Sequence, residues 1–250
     1  MNRRGLTLLE CVIGMAMASA LLAATCSVLL AGHRSAIALV SAIEARQNLE
    51  VTASIIRAEV RLAARGEILR ASDSSIVLRA LRGTGYACAV DTAGSRVLVA
   101  DADYSRLRAV DPLRDSLRLL LEHDPGTDTD DVWVQAGIVG TGSATCPDGR
   151  PALSLMVAGG ISAAVTGAPL RVVEVVEYRP YVDGNGERWF GTRSPSGTGW
   201  SAMSPIAGPV APRGLGFGTP DSLGAMAGVI RVLDRLKRAD SLDFVVRGAP

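Results

Sequence analysis

Aromatic side chains are scarce in this 250-residue chain, at 4% of the total. Its core must therefore come from leucine, valine, isoleucine and alanine. An excess of either charge is lacking too: Lys+Arg 26 against Asp+Glu 25 leaves a formal net charge of +1, so no global field is available to hold a polyanion by counterion release. Nucleic acid is not an expected partner. The only two histidines, His33 and His123, have no second histidine or exported cysteine at metal-ligand spacing. No G-x-S-x-G elbow, P-loop or G-x-G-x-x-G fingerprint occurs, since Gly214-Leu215-Gly216-Phe217-Gly218 lacks the third spacing. Neither an enzyme, nor a metal, nor a cofactor is expected from this inventory.

What is present is apolar, and it is unevenly spread. With 48% hydrophobic and 20% charged residues the composition is globular, and the length suits one ordinary domain or two small ones. The mean hydropathy of +0.26 is high for a soluble protein. From Cys11 to Gly32 there are 22 consecutive uncharged residues, roughly 33 Å of helix and enough to cross a bilayer core of about 30 Å. Arg3 and Arg4 precede the run, so the positive-inside rule places the N-terminus in the cytoplasm and the rest outside.

A cleaved secretory signal peptide would look similar, with small residues near Ala31 or at Ala18-Ser19-Ala20. Glu10 argues against it, because a carboxylate at the head of the apolar run costs about 2–3 kcal/mol unless neutralised. The helical pattern also continues past the membrane edge. Ala38, Ala42, Ala45, Leu49, Ala53, Ile56, Val60 and Ala63 form one apolar stripe, with Arg46, Glu50, Ser54, Arg57 and Arg61 opposite. Proline is absent before Pro112, and glycine between Gly32 and Gly66. One helix is expected from about Leu6 to Arg65, roughly 90 Å long.

The string Arg4-Gly5-Leu6-Thr7-Leu8-Leu9-Glu10 resembles the type III signal of type IV pilins and type II secretion pseudopilins. That resemblance implies a leader, residues 1–5, removed after Gly5 by prepilin peptidase, and N-methylation of Leu6. It implies a retained transmembrane helix over 6–33 in inner-membrane lipid, an amphipathic continuation over 34–66, and a periplasmic β-rich domain over 67–250. Leu6 stands where phenylalanine is usual, and Ser27 where many major pilins carry proline, which favours a minor subunit. After cleavage the Leu6 amine and the Glu10 carboxylate lie one turn apart. The amine of one subunit can then pair with the carboxylate of its neighbour, so Glu10 is the assembly residue and other pilin or pseudopilin subunits are the partners. Asp130-Asp131-Val132-Trp133, Val176-Glu177-Tyr178-Arg179 and the stretch Pro209 to Phe217 are similar to elements of W-type minor pilins and J-type pseudopilins.

Beyond Gly66 the period changes. Ser75–Leu81, Arg96–Ala100, Ser116–Glu122, Val132–Val139, Ala152–Val157, Leu170–Tyr178 and Glu187–Thr192 read as short strands of an antiparallel sheet. Asp183-Gly184-Asn185-Gly186 predicts a hairpin in which Asn-Gly supplies positive φ angles. Residues 194–219 read as a long irregular excursion; Leu242–Arg247 reads as a strand, and Val229–Leu236 as a strand or a short helix. The fold class is α+β: a long N-terminal helix on a mostly antiparallel sheet, pilin-like in arrangement.

Cys11 and Cys26 lie in the membrane run as small apolar residues. Cys88 and Cys146 fall in the exported region, where an oxidising compartment allows a bridge worth on the order of 4 kcal/mol; two reduced buried thiols are the alternative. The acids Asp124, Asp128, Asp130 and Asp131, and the group Asp183, Asn185 and Glu187, read as solvated turn residues, since neither matches the twelve-residue calcium loop. Arg57, Arg61 and Arg65 read as a solvated face. The expected function is a minor subunit that initiates or tips a type IV pilus, with a type II secretion pseudopilin as the near alternative. A secreted or membrane-anchored β-domain binding module is the alternative of another class; a membrane-anchored hydrolase lacks a nucleophile with a base.

Overall fold

The computed structural model describes residues 8–63, 66–93, 95–121, 132–159, 161, 165–218, 225–233 and 239–247. One helix, α1 (Leu8–Leu62, 55 residues), opens it. With no proline and no interior glycine after Gly32, nothing interrupts the ladder. It stops where the chain turns through Gly66 at φ +81, a conformation cheap only for glycine. Arg171 Nη2 donates to the Leu62 carbonyl at 2.6 Å, satisfying an acceptor that the helix end leaves open.

The second half of α1 buries the expected stripe. Ala45, Leu49, Ala53, Ile56, Val60 and Ala63 are each at most 4% exposed. One turn departs from expectation: Ser41 is buried and Ala42 is exposed, while Ala38 is half-buried. A straight helix of 3.6 residues per turn drifts against an alternating three-four spacing, so the contact line has moved one position by the end of the packed segment.

The strands are antiparallel throughout: β1 (Ile68–Ser72), β2 (Ser75–Asp91), β3 (Arg96–Ala100), β4 (Ser105–Arg106), β5 (Asp115–Leu121), β6 (Val132–Thr145), β7 (Pro151–Val157), β8 (Pro169–Val182) and β9 (Arg188–Arg193). Two are far longer than expected, because β2 pairs in turn with β1, β4 and β3 as well as with β8, and β6 changes neighbour along its length. β2 runs beside β8 over Ile76–Tyr86 and then beside β3 over Ala87–Asp91. β6 pairs first with β5 and then with β7. Single-residue bulges mark these changes, at Arg82, Cys88 and Val139, and a bulge bends a strand and increases its twist. As a result the pairings β2–β3–β7–β6–β5–β8 return to β2 and close a ring. Val97, Val99, Leu117, Leu119, Ile138, Leu155, Leu170 and Val172 fill it.

The hairpin between β8 and β9 forms, by a different turn. Gly186 N donates to the Asp183 carbonyl at 3.1 Å, and only Gly186 in the turn has a positive φ, +81. Asn185 stays in the ordinary region. This is a five-residue loop closed by a glycine bulge rather than a two-residue turn with two positive φ angles.

The segment 194–219 is not an irregular excursion. It contains a small ribbon, β10 (Pro195–Ser196) with β11 (Gly199–Trp200), then β12 (Ser204–Ala207) and β13 (Val210–Phe217). β12 adds to the edge at β9, and β13 opens a second sheet with β14 (Ala225–Leu233) and β15 (Ala239–Arg247). Its prolines look like strand breakers, yet β12 and β13 are edge strands, where a missing N–H costs no ladder bond. The register shifts fall next to them, at Pro205/Ala207 and between Val210 and Leu215. Val229 to Leu233 is strand, not helix, and residues 234–236 of that stretch lie outside the described residues. Val210, Leu215, Phe217 and Ile230 of this small sheet close over the buried face of α1, opposite Ile76, Leu78, Val176, Tyr178 and Phe190 of the large one.

Candidate functional site

Two regions of α1 carry the candidate function, and they differ in what surrounds them. Over its first half no residue of the helix is buried among the described residues: a window of mean hydropathy 2.0 is 0% buried. Leu8 is 85% exposed; Leu21, Leu22, Val28 and Leu29 are exposed alike. The helix is long and apolar enough to cross a membrane. Its hydroxyls are satisfied internally: Ser19 donates to the Ala16 carbonyl at 2.9 Å, Thr25 to Leu22 at 2.9 Å and Ser27 to Ala24 at 2.7 Å. A hydroxyl bonded to its own helix enters hydrocarbon without a stranded donor. Glu10 stands exposed in the first turn, where the positive end of the helix dipole favours a carboxylate. Gly5 and Leu6 lie outside the described residues. Cys11 and Cys26 are free and exposed, and His33 is exposed on the same helix; His123 lies outside the described residues.

The second half of α1 is locked onto the β domain by buried ions. Arg82, at the β2 bulge, donates through Nη1 to Glu59 Oε1 at 3.0 Å and through Nε to Glu174 Oε2 at 2.9 Å. Arg108 Nη2 reaches Glu174 Oε2 at 3.0 Å and Asp115 Oδ1 at 2.6 Å. Ser194 donates to Glu174 Oε1 at 2.6 Å, and the Tyr178 hydroxyl donates to Glu59 Oε1 at 3.2 Å. Burial alone would lower the Arg82 and Arg108 pKa values, but the facing carboxylates overcome it and raise both. Burial likewise opposes ionisation of Glu174, and the hydrogen bonds from Ser194, Arg82 and Arg108 outweigh it, holding the carboxyl below its ordinary range. Tyr178 is pushed up, by burial first and then by Glu59.

Two further carboxylates are buried in the same manner. Glu67, fully buried, receives Arg118 Nη1 at 2.8 Å and Arg171 Nη2 at 3.2 Å. Glu177, 1% exposed on its side chain, is met by Arg70 Nη2 at 3.1 Å and by Arg193. The guanidinium of Arg118 lies 5.4 Å from the Trp133 ring centroid and that of Arg193 4.9 Å from Trp200. None of the four glutamates Glu59, Glu67, Glu174 and Glu177 stands out from sequence as a site. A signal was available: Val172-Val173-Glu174-Val175-Val176-Glu177 puts two acids in a β-branched run, three apart and so on opposite faces. A carboxylate there must find a cation on each side.

Cys88 and Cys146 are disulfide-bonded with Cα atoms 5.8 Å apart. The bond ties the β2 bulge at Cys88 to the residue that follows β6, against Ala100 and Ala152. Asp183 is occupied by its own turn: Oδ1 accepts from the Asn185 and Glu187 amides, each at 2.9 Å, and Oδ2 from Trp189 Nε1 at 3.2 Å. The acids Asp124, Asp128, Asp130 and Asp131 lie outside the described residues. Among the described residues no group of three histidines, cysteines or acids stands where it could hold a metal ion. The expected solvated arginine face holds at Arg61, while Arg57 is half-buried and Arg65 lies outside the described residues. The stretches beginning at Val132, Val176 and Pro209 fall on three separate parts of the β domain. No protein-family model, no curated protein and no solved structure matches the chain.

Proposed function

We propose that the chain is a minor pilin-like subunit, cut after Gly5 by prepilin peptidase and N-methylated at Leu6. It is stored in the inner membrane through α1 and drawn into a type IV pilus, or a type II secretion pseudopilus, by lateral packing of that helix. The observation that carries this reading is the contrast along one unbroken helix. Its first half is apolar and wholly exposed, and its second half is clamped by Glu59, Arg82 and Glu174. A helix of this kind needs lipid first and other helices afterwards, while its head must follow it rigidly.

The chemistry asked of each part is modest. Lipid tails are as apolar as leucine, so moving the first half of α1 from bilayer to a helix bundle supplies little drive and less selectivity. Glu10 supplies the selectivity, because a carboxylate in an apolar bundle is tolerated only opposite a cation. The Leu6 amine of a neighbouring subunit, shifted by one turn, is such a cation. The buried clamp keeps the β domain in one orientation on the helix, so that register chosen at Glu10 is transmitted to the exported head.

Mass spectrometry of the mature protein isolated from membranes tests the reading. A methylated Leu6 N-terminus is the expected result. A mature chain that begins after residue 20 overturns it in favour of a secreted binding module.

A further inference from the structure

Charge nearly balances over the whole chain, at +1, yet one face of the large sheet is far from balanced. Residues two apart on a strand share a face, and β8 itself carries no bulge. Arg171, Val173, Val175, Glu177 and Arg179 therefore lie on one side of it, opposite the side where Glu174 and Tyr178 meet the clamp. Three arginines gather at each end of this row around a single buried carboxylate. At one end Arg118 and Arg171, directly opposite each other in register, share Glu67 at 2.8 and 3.2 Å. Arg79 joins them, with Nη1 3.5 Å from the Gly66 carbonyl and Nε buried without a hydrogen-bond partner. At the other end Arg70 at 3.1 Å, Arg179 at 4.0 Å and Arg193 converge on Glu177.

Each group thus holds two positive charges more than its carboxylate cancels. Like charges directly opposite across a strand pair are unfavourable, and a largely buried cation is costly without a counter-charge. Burial and then the charge of Arg118 lower the Arg79 pKa, against the pull of Glu67. Each group is also flanked by a tryptophan. Trp133 lies against Arg118 and Trp200 against Arg193, and the two rings are 37% and 38% exposed. Arg70 and Arg179 are open to solvent, at 61% and 42% of their side chains.

The gap between the two groups selects the partner. Arg171 and Glu177 are six residues apart on β8, about 20 Å, with Val173 and Val175 between them. A nucleic acid or a uniformly charged glycan carries charge along the whole of that length, and much of it would fall on the valines. An extended polypeptide can carry acids at intervals of six residues, since its rise matches that of β8. The planar fork of arginine, moreover, fits a carboxylate through two parallel hydrogen bonds. We infer that this face docks an extended acidic segment of a partner protein, with one pair of carboxylates at the Glu67 group and a second pair at the Glu177 group. It lies opposite the clamp, so it is available whether or not α1 is built into a fibre.

The test uses the full chain in detergent at low salt. The probe is a fluorescent peptide with two pairs of aspartates set six residues apart by a glycine-serine spacer, and its control has the same composition with all the aspartates adjacent. Fluorescence anisotropy is expected to show the spaced peptide binding about tenfold more tightly than the control. Arg70→Gln/Arg179→Gln weakens it by about tenfold at the Glu177 group, and Arg79→Gln weakens it at the Glu67 group. Arg70 and Arg179 are exposed and Arg79 has no carboxylate of its own, so these changes leave the fold intact, as circular dichroism verifies. Arg114→Gln, at an exposed arginine outside both groups, leaves binding unchanged. No binding at low salt, equal binding of the two peptides, tighter binding of a polyuronate or a single-stranded oligonucleotide than of the spaced peptide, or full affinity in Arg70→Gln/Arg179→Gln overturns the inference.

Discussion

Arg82 Nη1 donates to both carboxylate oxygens of Glu59, at 3.0 and 3.2 Å, across the boundary between β2 and α1. The two side chains are 14% and 16% exposed. A helix that extends about 80 Å from Leu8 is thereby held to its head by a charge pair as well as by apolar packing. Removing one partner of a buried pair leaves the other uncompensated, at about 3–5 kcal/mol. Arg82→Ala is therefore expected to lower unfolding stability by that order, measured by urea denaturation. Arg61→Ala, on the exposed side of the same helix, is expected to change it by less than about 0.5 kcal/mol.

The apolar stripe predicts an equally sharp division along α1. Ile56 is fully buried, and Ile56→Ala is expected to cost about 2–5 kcal/mol through lost transfer energy and the cavity left behind. Ile37 is 45% exposed, and Ile37→Ala leaves the melting of the β domain unchanged. Thermal unfolding in detergent followed by circular dichroism separates the two.

The Cys88–Cys146 bridge spans 58 residues, which the chain-entropy picture rates at on the order of 4 kcal/mol. The double substitution Cys88→Ala/Cys146→Ala is expected to lower the denaturant midpoint accordingly, and reductant to do the same to the native chain while leaving the double variant unaffected. A midpoint insensitive to reductant would contradict the bridge.

Glu174 makes stability depend on acid. Its carboxyl is held below its ordinary 4.5 in the folded chain, so the unfolded chain takes up a proton first as pH falls. The contribution is complete above the unfolded value and disappears as pH drops towards the folded one. A plot of stability against pH should fall below about pH 5. Glu174→Gln should flatten that limb, although it lowers stability at neutral pH. At the alkaline end Tyr104 is pushed up to about 12, by burial first and then by Asp115. Folding therefore loses support as pH rises from about 10, where the unfolded phenol ionises.

Glu10→Ala separates processing from assembly under the proposed function. Mass spectrometry of the membrane fraction is expected to find Leu6 methylated in the variant as in the parent. Recovery of the variant in sheared fibres or in complexes with partner subunits is expected to fall. Unchanged recovery would remove Glu10 from the assembly mechanism.

The long helix and the short strands were legible in sequence because each rests on a period within one segment. The stripe from Ala45 to Ala63 shows at intervals of three and four, and Arg96–Ala100 matches β3 residue for residue. The turn at Asp183 was legible as a hairpin but not in its φ angles, since Asn-Gly suits more than one tight turn. Residues 194–218 read as irregular in sequence but form strands, because proline and glycine mark irregularity only where both sides of a strand must pair. At an edge they mark nothing of the kind.

The sequence by itself determined the helix long and apolar enough to cross a membrane, its amphipathic continuation and the antiparallel β class, all patterns local to one segment. Tertiary structure alone decided that β2 and β6 bend at their bulges and close the ring, and that 210–217 forms a strand roofing α1 with β14 and β15. It also decided that Glu59, Arg82, Glu174, Arg108 and Asp115, spread over more than a hundred residues, meet in one clamp. The reason is that a charged residue has no period to betray its partner. Which arginine finds which glutamate depends on how strands far apart in the chain come to lie side by side.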